Sequence, residues 1–220
     1  MYHMNSYPYS DYRPTREGTV TIQGEGIATA KPDVVVLTIG VMTEDNNVKA
    51  AQEENALRSN ALLQALQTLG IQEKDIQTLS YTITPEYDYK DGVSSLRGYR
   101  VEHLYEVTVL NVQKAGEVYD AAIGAGANIA RDLTFRVSDP GLYYEQALTR
   151  AVLNAQEKAK TVAEALHVNI NPIPVSIVEE GGCAPQPLVG YAAAQPKAVT
   201  PIAPGELTVK VRVQGVFMYM

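Results

Sequence analysis

The segment from 124 to 166 constrains this chain most: a glycine-alanine turn, a short apolar run, Ser138-Asp139-Pro140, then a long alanine-rich stretch. Asp139 suits an N-cap, because its carboxylate can accept from the free amides of a first helical turn, and Pro140 suits the position after it. Leu148, Ala151, Val152, Ala155, Ala159, Val162, Ala163 and Leu166 then recur at steps of three and four, which is one stripe of a helix. Glu145, Arg150, Glu157, Lys158, Lys160 and Glu164 fall on its other faces. A stripe so rich in alanine permits close approach, so the expectation is a helix lying flat on a β-sheet.

The rest of the chain supplies that sheet. Residues 19–30 and 33–42 read as strands separated by Pro32, and the density of Val34, Val35, Val36, Leu37, Ile39 and Val41 suggests that the second is buried on both faces. These two are expected to form a hairpin or to lie side by side. From 45 to 69 the period turns helical, with Val48, Ala51, Leu62, Leu66 and Leu69 on one side and Gly70 placed to end it. Residues 76–89 and 96–111 read as long strands around Asp91-Gly92, two residues that tolerate positive φ. In the second of them Tyr99, Val101, His103, Tyr105, Val107 and Val109 form one apolar face. A shorter helix over 112–123 ends at Gly124 and Gly126, and strands follow over 129–137 and 173–180. The final strand, around residues 207–219, alternates Leu207, Val209, Val211, Val213, Phe217 and Tyr219 with Glu206, Thr208, Lys210, Arg212 and Gln214.

The order ββαββαβαββ predicts an α+β fold: a mainly antiparallel sheet with two long amphipathic helices and one shorter helix packed on it. Residues 1–18 carry Tyr2, Tyr7, Tyr9 and Tyr12 among polar residues and read as a flexible tail. Residues 19–220 then form a single domain, or two lobes, with a Pro/Gly-rich loop at 181–204 that is too irregular for a core element.

Charge and composition narrow the function. A formal net charge of −7 without clustered Lys and Arg argues against nucleic acid as a partner. No run of 18 apolar residues is present to form a transmembrane helix. The only cysteine, Cys183, allows neither an intramolecular disulfide nor a cysteine-based zinc site. The first ten residues lack the basic start and apolar segment of a cleaved secretory signal, which favours the cytoplasm.

Candidate chemistry is sparse. Gly24-Glu25-Gly26-Ile27-Ala28-Thr29 starts like a dinucleotide fingerprint, but the third glycine is Thr29 and no helix follows, so a bulge or close backbone approach is the better reading. His3, His103 and His167 are far apart in sequence and make a poor metal site; His103 reads as a hydrogen-bonded core histidine, and His167 as a helix-end residue favoured by the dipole. The acidic pairs Glu44-Asp45, Glu53-Glu54 and Glu179-Glu180 read as solvated surface. Two residues are retained as candidates for redox or ligand contact, Cys183 in its glycine-proline loop and His103 on its strand. No catalytic residue, cofactor or metal is implied.

Val20-Thr21-Ile22-Gln23-Gly24-Glu25-Gly26 followed by Ala30-Lys31-Pro32-Asp33 resembles the opening signature of SIMPL-domain proteins. Gly126-Ala127-Asn128-Ile129, Leu133-Thr134-Phe135, Ser138-Asp139 and the helix with Ala147, Ala151, Ala155, Lys158-Ala159 and Ala163 resemble that family's second block. The resemblance implies a domain of unsettled biochemical role, frequently exported to the bacterial envelope, linked to stress tolerance, and in some members assembled into large rings or channel-like oligomers. It carries over no catalytic residues. The reading is therefore a non-enzymatic, self-associating homo-oligomer that makes contact through strand edges and the Pro/Gly loop. The alternative is a small-molecule-binding or enzymatic domain with a pocket between helices and sheet, near His103, Tyr99 and Tyr105.

Overall fold

The alanine stripe is buried as its spacing requires. In a computed structural model that describes residues 18–181, 186–187, 202 and 204–220, helix α3 (Pro140–Leu166) buries Ala147, Ala151, Ala155, Ala159 and Ala163, one residue per turn. With β1 (Gly18–Ala30), β6 (Ser176–Glu179) and most of β8 (Leu207–Tyr219) it makes up the described part of one compact unit. The sheet order is β1-β8-β6, and a two-residue strand β7 (Gln186–Pro187) also pairs with β8. Strand β8 buries every second residue from Leu207 to Phe217, and Val209, Val211, Val213 and Phe217 share a core with the helix alanines and Ala28.

Glycines in β1 set how closely α3 can lie. A Cβ added at Gly24 would stand 2.8 Å from both the nitrogen and the Cβ of Ala155, and one at Gly26 would overlap the carbonyl oxygen of Ala147. The Gly-Glu-Gly sequence is thus the close backbone approach expected of it, and the space beside it is filled by α3. Asn154 and Lys158 complete the seam, accepting from Glu25 N at 3.1 Å and donating to Gln23 O at 2.9 Å.

The second unit runs from Thr29 to Pro140 and includes Pro185–Thr208. Strand β2 (Val34–Asp45) lies between β4 (Val93–Val109) and β5 (Ile129–Arg136), with β3 (Ile76–Lys90) outside β4, giving the antiparallel order β3-β4-β2-β5. As its composition suggests, β2 is buried on both faces from Val34 to Val41. Helices α1 (Val48–Thr68) and α2 (Ala115–Gly124) pack on one face, where Leu62, Leu66, Val118 and Ala122 meet Val35, Leu37, Ile39, Tyr105, Val107 and Val109. Asp91 (φ 51°) and Gly92 (φ 80°) turn β3 into β4 with Lys90 opposite Val93, a two-residue turn with positive φ at both positions.

All three helices end alike. In α1, Gly70 N donates to Gln67 O at 2.9 Å and Ile71 N to Leu66 O at 3.1 Å, which satisfies two otherwise orphan carbonyls. Gly126 and Ala127 repeat the pattern after α2, and His167 and Val168 after α3. His167 holds the left-handed position at φ 56°, a place where glycine is the usual occupant.

The α+β class stands as expected, and two local expectations are corrected. Strands β1 and β2 do not pair: β1 joins β8 in one sheet and β2 joins β4 and β5 in the other. The intervening Lys31-Pro32-Asp33 is no tight hairpin turn; Asp33 accepts instead from the backbone N (2.7 Å) and Oγ (2.5 Å) of Ser138. The strand expected over 173–180 shortens to β6, because Asn171 Oδ1 takes up the Ile173 amide and Ile173 is left exposed. Most of the expected loop over 181–204 lies outside the described residues; of those described, Gln186–Pro187 form β7, and Ile202 packs against the core of the second unit.

Candidate functional site

On the face of β4 covered by α1, alternation places Val101, His103 and Tyr105 in line, with Ile83, Tyr81 and Thr78 opposite them on β3. Helix α1 meets this face through an unusual stripe. Its buried residues are Ala51, Asn55, Ser59, Leu62 and Leu66, so two of the five are polar, and Asn55 is wholly inaccessible. The sequence reading missed Asn55 and Ser59 because it counted only apolar side chains; their four-residue spacing from Ala51 was the available signal.

These groups form one connected polar chain. Asn55 Nδ2 donates to Val41 O at 3.0 Å and to Val101 O at 3.1 Å, tying the helix to two neighbouring strands. Ser59 Oγ donates to Asn55 Oδ1 at 3.3 Å, and Ser59 stands beside the Tyr105 hydroxyl. Tyr105 Oη lies 2.9 Å from His103 Nδ1, and His103 Nε2 lies 3.4 Å from Thr78 Oγ1. The imidazole meets Tyr81 nearly perpendicularly, with centroids 5.0 Å apart. The chain therefore runs from a dry interior at Asn55 to a half-exposed ring at Tyr81, with His103 as the link.

Burial governs its electrostatics. It holds the His103 imidazole below the ordinary histidine value, and it pushes the Tyr105 phenol above its usual value against an opposing hydrogen bond from Ser59. Both groups are thus neutral at neutral pH. Among the described residues the ring nitrogens of His103 face hydroxyls, Thr78 Oγ1 and Tyr105 Oη, and not the carboxylate that typically orients a catalytic base.

The other candidates lie apart. Tyr99 sits farther along β4 and lines a cleft of about 390 Å³ with Glu44, Asp45, Asn46, Glu86, Arg97 and Gly98. There Arg97 and Arg100 bridge Glu44 and Glu86, at 3.1 and 3.9 Å from Arg97 and at 2.9 and 3.1 Å from Arg100. The cleft's opposite charges are spent on one another. The remaining acidic pairs also find partners: Glu53 and Glu54 face Lys49 and Arg58 along α1, while Glu179 and Glu180 accept from Tyr144 and Gln23. Cys183, His3 and the tyrosines of the tail lie outside the described residues. Among the described residues no three His, Cys, Asp or Glu side chains stand close enough to hold a metal, and no helix is long and apolar enough to cross a membrane.

Beyond the cover of α1, the same face of the β3–β4 ribbon continues with Tyr81, Ile83, Pro85, Tyr87 and Leu96. Their exposures are high for such side chains: 45% for Tyr81, 39% for Ile83, 49% for Tyr87 and 50% for Leu96. None of them is charged, in a chain where one residue in five is. This apolar stripe, with His103 at its inner end, is a surface feature that solvation alone leaves unexplained.

Comparison with known proteins places the chain in a family. The chain is 31% identical over 214 residues to the 26 kDa periplasmic immunogenic protein of Brucella melitensis, covering 92% of this chain and 85% of that protein. It is 29% identical over 170 residues to the uncharacterized protein YggE of Escherichia coli K12, covering 77% of this chain and 69% of that one. Residues 20–217 match the model of the SIMPL family, described as a protein of unknown function (DUF541). That match spans both the β1–α3 seat and the Asp33–Ser138 tie, and the chain is a member of the SIMPL family.

Proposed function

We propose that this protein acts by association with copies of itself, through the uncovered face of the β3–β4 ribbon. The observation that carries this reading is the uncharged row of Tyr81, Ile83, Tyr87 and Leu96 standing in solvent beside a fully formed core. A second copy is the occupant that this face fits. Two-fold packing sets the same patch against itself, so an apolar surface meets an apolar surface without any complementary partner. A charged partner would find nothing on the row to hold. The mode is face-to-face packing rather than edge extension, because β3 carries Pro85 and its pairing with β4 is interrupted by bulges at Thr78/Ser80 and Glu86/Tyr87. Such features blunt an edge strand against adding a neighbour.

Sedimentation velocity over a wide concentration range tests this, with the double variant Ile83→Lys/Leu96→Lys beside the unaltered chain. Association that rises with concentration, and that the double variant weakens by at least about tenfold, is expected from placing charge at the centre of an apolar contact. A chain that stays monomeric throughout, or a variant that associates as the unaltered chain does, would overturn the proposal.

A further inference from the structure

The apolar row has one titratable neighbour that can switch it. We propose that protonation of His103 separates the associated copies, making assembly through the β3–β4 face sensitive to mild acid. This inference rests on the association proposed above and adds its control.

The geometry is that of a group connected in both directions. Tyr81 belongs to the exposed row, and its ring stands edge to face with the His103 imidazole at 5.0 Å. A partner covering Tyr81 therefore also withdraws His103 from water. Tyr105 Oη lies 2.9 Å from His103 Nδ1, and Thr78 Oγ1 lies 3.4 Å from Nε2. In the protonated ring both nitrogens are donors, so both hydroxyls must accept from it, which hydroxyl oxygens can do. The neighbours can thus accommodate the extra proton, which leaves the charge itself as the disturbance.

Among the described residues, nothing facing His103 offsets that charge. From β3 it meets Tyr81 and Thr78, from β4 Tyr105, from β2 the apolar Val41 opposite it, and from the inner side of α1 Asn55 and Ser59. The charged residues of α1 nearest in sequence, Glu54 and Arg58, are paired with each other. Glu102 and Glu106 on β4 point to the opposite face of the sheet by alternation, and Glu102 pairs there with Arg131. Burial already holds the imidazole below its ordinary value in the single chain. Covering it further lowers its proton affinity again, so by linkage acid favours the separated chains.

Sedimentation equilibrium at about pH 7.5 and about pH 5, on either side of the ordinary histidine value, tests the switch with the unaltered chain and His103→Gln. The unaltered chain should associate about tenfold or more weakly at the lower pH, and His103→Gln should associate equally at both. If His103→Gln does not fold, dilution calorimetry of the unaltered chain in buffers of different ionisation enthalpy gives the same information, since dissociation in mild acid must take up protons. Association that persists undiminished at the lower pH, an unchanged pH dependence in His103→Gln, or dissociation without proton uptake would overturn the switch while leaving the association intact. Absence of association at the higher pH would overturn the association, and the switch with it.

Discussion

Gly24→Ala perturbs the seat of α3 at one methyl group, and its cost follows from the distances. The new Cβ would lie 2.8 Å from Ala155 N and Ala155 Cβ and would overlap Ala151 O. Carbon atoms pack at about 3.5–4.0 Å, so the deficit is roughly 1 Å. No side-chain rotation can relieve it, because the opposing atoms are helix backbone and a methyl group. Either β1 bends or α3 lifts, and lifting uncovers the apolar row from Ala147 to Ala159. Overpacking of this kind costs about 1–3 kcal/mol, and unyielding neighbours put this site at the upper end, about 3 kcal/mol. In a chain of 220 residues that lowers Tm by roughly 6–12 °C. Gly24 has no left-handed φ, so the loss is steric and carries no backbone strain. Gly124→Ala is the matched control: nothing lies within 4 Å of its added Cβ, and its Tm should stay within about 2 °C. Scanning calorimetry of both variants beside the unaltered chain decides the matter. Equal transitions for Gly24→Ala and Gly124→Ala would refute the close-approach account of the helix seat.

Other perturbations reach different parts of the fold. Asn55→Ala leaves the buried carbonyls of Val41 and Val101 without its two hydrogen bonds and should cost about 2–4 kcal/mol in urea unfolding, whereas a loss below about 0.5 kcal/mol would mean that Asn55 is dispensable. Because burial lowers the folded-state proton affinity of His103, the unfolded chain binds more protons, and stability present above pH 6.5 is lost as pH falls from there toward the folded value. In the dilute single chain, denaturation midpoints taken across that window should decline, and His103→Gln should flatten the decline. His167→Gly replaces a side chain held at φ 56° with the residue suited to that conformation and should raise stability by about 0.5–1 kcal/mol, read by the same denaturation.

Local chemistry makes most of the fold legible in the sequence. The Asp91-Gly92 turn, the alternation in β8 and the alanine spacing in α3 are short-range signals, each sufficient by itself to place its element. The strand order was not legible, because nothing in Lys31-Pro32-Asp33 says that β2 will join a different sheet from β1 while Asp33 accepts from Ser138, 105 residues away. Pairings that far apart depend on the whole chain closing. At the site, His103 and Tyr105 were visible as neighbours on one strand face, whereas Asn55 and Ser59 were hidden by their polarity. A buried asparagine looks like a surface one until the carbonyls that need it are in view. The exposed row was hidden by the opposite fault, since Tyr81, Ile83 and Leu96 read as ordinary strand residues until the reach of α1 defines which of them stay uncovered.

Residue-resolved hydroxyl-radical labelling of the unaltered chain, at a dilute and at an associating concentration, tests the central claim most directly. If copies meet through the β3–β4 face, modification of Tyr81, Ile83, Tyr87 and Leu96 falls as concentration rises, while Met218 on β8, 38% exposed, is labelled equally at both. If association proceeds with those four side chains labelled undiminished, the face is not the contact and the proposed role of the ribbon is wrong.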